Sequence, residues 1–190
     1  MQTRKEELIE SLIPYLLEHG LADLSLRPLA AKTGTSARLL IYHFESKEGL
    51  LVEVFGAMHA HLQQSFSLLL NTPSKSPSTK PPIRLFWDWA IADENYPYLK
   101  LLYELQILAI QNPTTYAQYF ERNTLNWYDL VMEALPPSER TPALATLCCA
   151  VFDGLFFELM SSGDREHTTQ ALDLFIRTVG ESRASRSKAK

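Results

Sequence analysis

A short apolar run near the N-terminus carries three side chains with strong hydrogen-bonding groups. Residues 37–44 read ARLLIYHF, which places the guanidinium of Arg38, the phenol of Tyr42 and the imidazole of His43 within about two helical turns. A guanidinium can donate two parallel hydrogen bonds to a guanine base edge. A phenol can donate to a phosphate oxygen, and His43 could do either. Phosphates and base edges are therefore groups that this segment could bind.

If this segment is a helix, its side chains divide between two faces at about 100° per residue. The face predicted to pack on a core consists of Ala37, Leu40, Ile41 and Phe44. The outer face combines hydrogen-bonding groups with one leucine: Ser36, Arg38, Leu39, Tyr42 and His43. Leu39 could contact the methyl group of a thymine.

Flanking residues predict the elements that hold this outer face. Ser25 is a candidate cap of a preceding helix that ends at Gly34. Ser46 is a candidate cap of a long following helix that reaches about Leu70. Two short helices joined by a tight turn predict a helix-turn-helix, whose second helix enters the major groove of DNA.

Charge favours this interpretation only locally. The net charge of the 190 residues is −4, but residues 25–47 hold four positive side chains and a single acidic one, Glu45. A local basic patch is what phosphate binding needs. An ordinary amphipathic turn with solvated polar side chains fits the same spacing, and spacing alone leaves both interpretations open.

The stretch LRPLAAKTGTSARLLIYHFESKEGLL, residues 26–51, resembles the DNA-binding segment of the tetracycline-repressor (TetR) family of bacterial regulators. One continuous register satisfies the family pattern at Ala30, Gly34, Ser36, Leu40, His43, Phe44, Ser46, Lys47, Leu50 and Leu51. The resemblance covers about the first fifty residues. Beyond them no family motif is matched. The rest of the chain agrees with the family only in being a variable all-α region of about the usual length.

The resemblance implies that Lys47 contacts a phosphate. The chain departs from the pattern at Thr35, where the family prefers valine, at Arg38, where it often has glycine, and at Ile41, where it usually has tyrosine. Tyr42 is the candidate substitute for that tyrosine. The predicted DNA-contacting set is Arg27, Thr35, Ser36, Arg38, Leu39, Tyr42, His43 and Lys47.

The sequence pattern predicts an all-α fold for the whole chain. Thr3 and Glu6 have capping-box spacing, Gly20 is a candidate helix stop, and Pro14 predicts a kink or a shortened helix. Further helices are predicted at 83–94, 97–111, 114–135, 142–161 and 165–180, after a proline- and serine-rich loop at 71–82. The predicted domains are residues 1–48 for the helix-turn-helix, 49–180 for effector binding and dimerisation, and 181–190 as a basic, disordered tail.

A helix that is apolar nearly all round is predicted at residues 143–160, where Asp153 and Glu158 are the charged positions. Such a helix must be covered on every side. The resemblance implies a four-helix bundle formed by two C-terminal helices from each of two chains, whereas a buried central helix of a monomer is the alternative. The predicted interface is Cys148, Phe152, Leu155, Leu159, Leu172, Phe175 and Ile176.

The middle of the chain is rich in aromatic residues, which can form a core or line a ligand cavity. The resemblance favours a cavity for a small effector. The predicted ligand-contacting set is Trp87, Tyr103, Glu104, Trp127, Phe152 and Phe156. Aromatic rings beside Glu104 would suit a lipophilic cation.

The sequence predicts no catalytic residue, metal or cofactor, because it contains no nucleophile, nucleotide-binding or metal-ligand motif. Two adjacent cysteines and a charged N-terminus indicate a reducing, cytoplasmic location. The chain is interpreted as a ligand-responsive transcriptional regulator, with repression favoured, that binds palindromic operator DNA as a homodimer. The alternative is an all-α small-molecule binding protein that no longer binds DNA.

Overall fold

The all-α prediction is confirmed by a computed structural model that describes residues 3–22, 24–71, 80–117, 119, 121 and 126–188. The side chains of residues 70, 71, 126, 127 and 180–188 lie outside that description. The described residues form nine α-helices, one short 3-10 helix and no strand. The α-helices are α1 (Arg4–His19), α2 (Leu26–Lys32), α3 (Ala37–Phe44), α4 (Lys47–Asn71), α5 (Pro82–Ala90), α6 (Tyr96–Gln111), α7 (Asn126–Ala134), α8 (Pro142–Ser162) and α9 (Arg165–Lys188).

The first helix begins and ends where local signals place it. The Thr3 hydroxyl accepts a hydrogen bond from the Glu6 backbone N–H, and the Glu6 carboxylate accepts one from the Thr3 N–H, which completes the capping box. Gly20 ends α1 with a φ of 68°. Pro14 does not shorten α1, because Leu8, Leu12 and Leu16 are buried on both sides of it and hold the helix in place.

The C-terminal half departs from the predicted boundaries at two places. Residues 113–116 form a turn where a helix was predicted from residue 114, and part of the predicted 114–135 helix lies outside the described residues. The last helix, α9, continues to Lys188. It therefore covers most of the segment 181–190 that was predicted to be a disordered tail. Most of the loop predicted at 71–82 lies outside the described residues.

The chain divides into two compact units. The first unit comprises Met1–Thr72 and Asp93–Thr124, and the second comprises Pro73–Ala92 and Leu125–Lys190. In the first unit α4 packs on α1 and α3, and α6 packs on α1 and α4. The boundary predicted at residue 48 therefore falls inside a compact unit, since α4 and α6 share a core with the three N-terminal helices.

The second unit is held by aromatic packing and by polar bonds between α5 and α9. The indole N–H of Trp87, a fully buried side chain, donates to the Thr169 hydroxyl at 2.8 Å. Arg84 forms ion pairs with Asp88 in its own helix and with Asp173 in α9. These bonds fix the face of α5 that packs on α9.

Helix α8 is long and apolar enough to cross a membrane by length and composition alone. It instead packs on α5, α7 and α9. Only 28 % of its most apolar stretch is buried within the chain, so a considerable apolar surface stays exposed.

Acid should destabilise the first unit through His59, which lies buried in α4. Burial lowers the pKa of His59 from 6.5 to about 4. The unfolded chain therefore binds the proton more tightly, and the free energy of unfolding should fall as the pH drops from 6.5 towards 4. The slope for one proton is at most about 1.4 kcal/mol per pH unit.

Urea unfolding of the wild type and of His59→Phe at several pH values measures this effect. The phenyl ring cannot titrate, so the variant should lose this component of the slope. His61→Phe, at an exposed position of the same helix, serves as the control and should keep it. Equal slopes for the wild type and His59→Phe would contradict the assignment to His59.

Candidate nucleic-acid interface

Helix α3 is positioned by a tight turn after α2 and by its own cap. The Thr35 N–H donates to the Ala30 carbonyl at 2.9 Å and closes the turn. The Ser36 hydroxyl accepts from the Leu39 N–H at 3.2 Å and caps α3. The Ser36 side chain therefore has a structural role in addition to its predicted phosphate contact, while Thr35 takes part in the turn through its backbone.

The outer face of α3 is wider than predicted. Leu40 is 0 % exposed and Phe44 is 4 % exposed, so only these two positions, one turn apart, are buried in the core. Ile41 is 38 % exposed, and the prediction that it faces the core is wrong. An eight-residue helix can bury one narrow line of side chains, and Ile41 lies beside that line. Leu39 is exposed to a similar extent, and Tyr42 is 78 % exposed.

Strong donors on α2 and α3 are left without a hydrogen-bond or ion-pair partner in the described part of the chain. No hydrogen bond or ion pair there engages the guanidinium groups of Arg27 and Arg38 or the hydroxyl of Tyr42, and all three side chains are exposed. His43 is half-buried, and its ring packs edge-on against Tyr42 with 5.2 Å between ring centres. Arg38 and Tyr42 are four residues apart, so both project from one side of α3 and can bind an external acceptor.

Lys47 is partly engaged inside the chain. Its half-buried ammonium lies 3.4 Å from the Leu24 carbonyl, in the segment that connects α1 and α2. An ammonium has three donors, and this bond is longer than the usual 2.9–3.0 Å. Lys47 can therefore hold the connection and still contact a phosphate.

The corner between α3 and α4 depends on a glycine, Gly49, that is not among the predicted site residues. A Cβ atom at Gly49 would lie 2.3 Å from the Phe44 carbonyl oxygen, a backbone atom at the end of α3. The Ser46 hydroxyl accepts from the Gly49 N–H at 2.9 Å, which confirms Ser46 as the cap of α4. The available signal was a glycine three residues after a capping serine.

The predicted ligand-contacting residues fall in both units. Trp87, Phe152 and Phe156 form an aromatic cluster in the second unit, with 5.8 Å between the ring centres of Trp87 and Phe152 and 5.7 Å between those of Phe152 and Phe156. Tyr103 and Glu104 are half-buried in the first unit. The side chain of Trp127 lies outside the described residues.

Three of the seven predicted interface residues are buried within the chain itself. Phe152, Leu159 and Leu172 are 7 %, 1 % and 0 % exposed, because they pack within the second unit. Cys148, Leu155, Phe175 and Ile176 are half-buried. The large apolar side chains that α8 and α9 leave exposed are Leu147, Phe157 and Leu174.

Residues 15–54 match the family model of bacterial regulatory proteins of the tetR family. The resemblance to the TetR family is confirmed. The matched segment runs from the second half of α1 into the first turns of α4 and contains all eight predicted DNA-contacting residues. No curated protein sequence matches the chain.

Solved structures share the fold of this chain along nearly its full length. The multidrug binding protein EbrR complexed with imidazole is 23 % identical, with a TM-score of 0.62 over 91 % of this chain and 94 % of that one. EbrR is also known complexed with proflavin and with ethidium. A transcriptional regulator from Rhodococcus sp. Rha1 is 18 % identical, with a TM-score of 0.72 over 95 % and 97 % of the two chains.

A TetR-family member from Streptomyces coelicolor A3 is 22 % identical, with a TM-score of 0.63 over 90 % of this chain and 97 % of that one. The chain therefore has the fold of TetR-family transcriptional regulators throughout, with the family's helix-turn-helix at its N-terminus. In the described part of the chain, no group of three or more His, Cys, Asp or Glu side chains could hold a metal ion.

Proposed function

We propose that this chain is a cytoplasmic, ligand-responsive transcriptional regulator, with repression as its favoured mode, that binds palindromic operator DNA as a homodimer. The observation that carries the proposal is the exposed ridge of α3. There Arg38 and Tyr42 offer donors that no described residue engages, within the segment that matches the family. A recognition helix needs such donors to bind base edges and phosphates.

The residues of the proposed DNA interface, on α3 and on its neighbours α2 and α4, divide by the chemistry of their side chains. Arg38 can donate a bidentate pair to a guanine, while Leu39 and Ile41 offer methyl groups to a thymine. Tyr42, His43 and Arg27 can donate to phosphates, which fixes the register without reading sequence. Thr35, Ser36 and Lys47 add donors near the start of α3 and of α4, where the helix dipole also favours an anion.

Dimerisation is proposed because one short helix buries too little surface for selective binding. The half-buried residues of the original set, Cys148, Leu155, Phe175 and Ile176, can contribute at the edges of the interface. Its centre is proposed at the exposed Leu147, Phe157 and Leu174 instead of at the three side chains that pack within the chain.

The effector is proposed to be a small lipophilic or aromatic compound. Its support is the aromatic cluster of Trp87, Phe152 and Phe156, together with the known complexes of EbrR with proflavin and ethidium. Titration with proflavin in the absence of DNA, followed by tryptophan fluorescence, tests this part. An unchanged signal would remove these planar cations from the proposal.

Selection of bound duplexes from a random pool, with the wild type and with Arg38→Ala, tests the DNA-binding part. The wild type should return a palindrome, and its affinity should fall steeply as salt rises. The variant should lose discrimination at one base pair of each half-site by about 1–3 kcal/mol.

Two other outcomes are informative. An equal loss of affinity on every sequence would restrict Arg38 to phosphate contact. If the wild type enriches no sequence and binds no duplex at low salt, the proposal fails and the small-molecule binding protein remains.

A further inference from the structure

Glu104 connects helix α6 to the turn that follows α1. Its carboxylate oxygen Oε2 accepts a hydrogen bond from the Leu21 backbone N–H at 3.2 Å, across 83 residues of sequence. Both residues are half-buried and lie in the first unit. One oxygen of the carboxylate predicted to orient a ligand is therefore bound to the N-terminal domain.

The turn is shaped to accept this carboxylate. Gly20 adopts φ 68° and ψ −162°, a backbone region that is essentially restricted to glycine. A Cβ atom at Gly20 would lie 3.1 Å from Glu104 Oε2, closer than an ordinary van der Waals contact. A glycine is thus needed both for the direction of the chain and for the approach of Glu104.

The same connection is held from a second helix. The Lys47 ammonium of α4 lies 3.4 Å from the Leu24 carbonyl, three residues after the bond of Leu21 to Glu104. His61 in α4 and Tyr98 in α6 pack with 5.6 Å between their ring centres, so the two holding helices also contact each other. The α1–α2 connection is therefore bound by an anionic side chain from α6 and a cationic one from α4.

The position of this connection determines where the DNA-reading helices begin. Helix α2 starts at Leu26, five residues after Leu21, and α2 packs directly on α3. Since α2 follows at once, a displacement of the connection displaces α2 and, through it, the outer face of α3.

We propose that Glu104 is a positioning residue for DNA recognition: its bond to Leu21 fixes the α1–α2 connection on α6 and so holds α3 in the orientation that matches paired half-sites. This inference rests on the proposed function. It assigns to Glu104 a role in transmitting the position of α6 to α3 instead of the ligand contact expected from the sequence.

The test compares Glu104→Gln, which keeps a side-chain oxygen that can accept the bond, with Glu104→Met, which is similar in length and has no such oxygen. The full-length proteins are titrated with three DNA duplexes: the selected palindrome, the same palindrome with its half-sites moved by one base pair, and a single half-site. Exchange of the Leu21 amide hydrogen is measured in the same proteins without DNA.

Glu104→Met should bind the palindrome about tenfold more weakly, the effect of one charge-assisted hydrogen bond, and should lose its preference for the native spacing. Its affinity for the single half-site should stay close to that of the wild type, because the side chains of α3 are unchanged. In Glu104→Met, the Leu21 amide hydrogen should exchange with solvent about tenfold faster than in the wild type. Glu104→Gln should keep the wild-type spacing preference and the slow exchange of the Leu21 amide hydrogen. If Glu104→Met does not fold, Glu104→Asp, whose shorter side chain withdraws the acceptor, replaces it with the same expectations.

Three results would overturn the inference. Glu104→Met could keep both the spacing preference and the slow Leu21 exchange. It could instead lose affinity equally for the palindrome and the half-site, which indicates a general structural role. Thirdly, the wild type could bind no duplex, which refutes the proposed function and this inference together. The first two results refute this inference alone, because both require a wild type that binds the palindrome.

Discussion

Gly49→Ala is expected to lower the free energy of unfolding of the first unit by about 1–3 kcal/mol, as overpacking does in other cores. The added Cβ would lie 2.3 Å from the Phe44 carbonyl oxygen, far inside the distance that two such atoms tolerate. The obstacle is backbone, so no side-chain rotation can relieve it. The end of α3 must move away from α4.

That movement should also impair DNA recognition. The Phe44 carbonyl accepts from the Ser46 N–H at 2.7 Å, and the Glu45 N–H donates to the Ile41 carbonyl at 2.7 Å, with Glu45 at a positive φ of 66°. These bonds form the corner between the recognition helix and α4. Opening the corner would turn Arg38 and Tyr42 away from the groove that they are proposed to contact, and operator affinity should fall more than about tenfold.

Gly56→Ala is the matched control in the same helix. A Cβ atom there meets nothing within 4 Å, so the substitution should stabilise α4 by about 0.5–1 kcal/mol. Urea unfolding and operator titration of both variants measure the effects. The same glycine-to-alanine change should lower the free energy of unfolding at position 49 and raise it at position 56. If Gly49→Ala is as stable as Gly56→Ala and binds DNA as the wild type does, the close approach does not constrain the corner.

Local signals were sufficient for most of the fold and for the frame of the interface. The Thr3–Glu6 capping box and the Ser36 cap each involve atoms within three residues, so the sequence itself contains both partners. The helix predicted over residues 37–44 is confirmed as Ala37–Phe44.

The features that the sequence did not reveal depend on partners far along the chain. Helical periodicity places Glu104 on a face of α6, but it cannot show that an N–H group 83 residues away binds that carboxylate. The same limit applies to Phe152 and Leu159. Periodicity shows that α8 is apolar all round, and the packing of α5 and α9 decides which side is covered.

The uncovered side of α8 leads to the second large expected effect. Its exposed positions include Leu147, Ala150, Gly154 and Phe157, separated by three, four and three residues. This is the spacing of a seam along which two helices pack. A Cβ at Gly154 would meet nothing within 4 Å of this chain, so the seam has room for a close partner. A second copy of the chain, presenting the same seam, fits the proposed dimer.

Phe157→Glu should convert the proposed dimer to a monomer. Phe157 is 52 % exposed in the single chain, and a carboxylate buried at its place in an apolar interface would cost more than about 2 kcal/mol of association free energy. A monomer holds one recognition helix, so affinity for the palindrome should fall at least about a hundredfold while the single half-site is bound as before. Sedimentation equilibrium and titration with both duplexes measure these effects. The control is Leu69→Glu. Leu69 is 48 % exposed near the end of α4, and its replacement should leave the oligomeric state and the affinity for the palindrome unchanged. A Phe157→Glu protein that still sediments as a dimer would move the interface away from this seam, because a charge tolerated at its centre shows that no partner covers it.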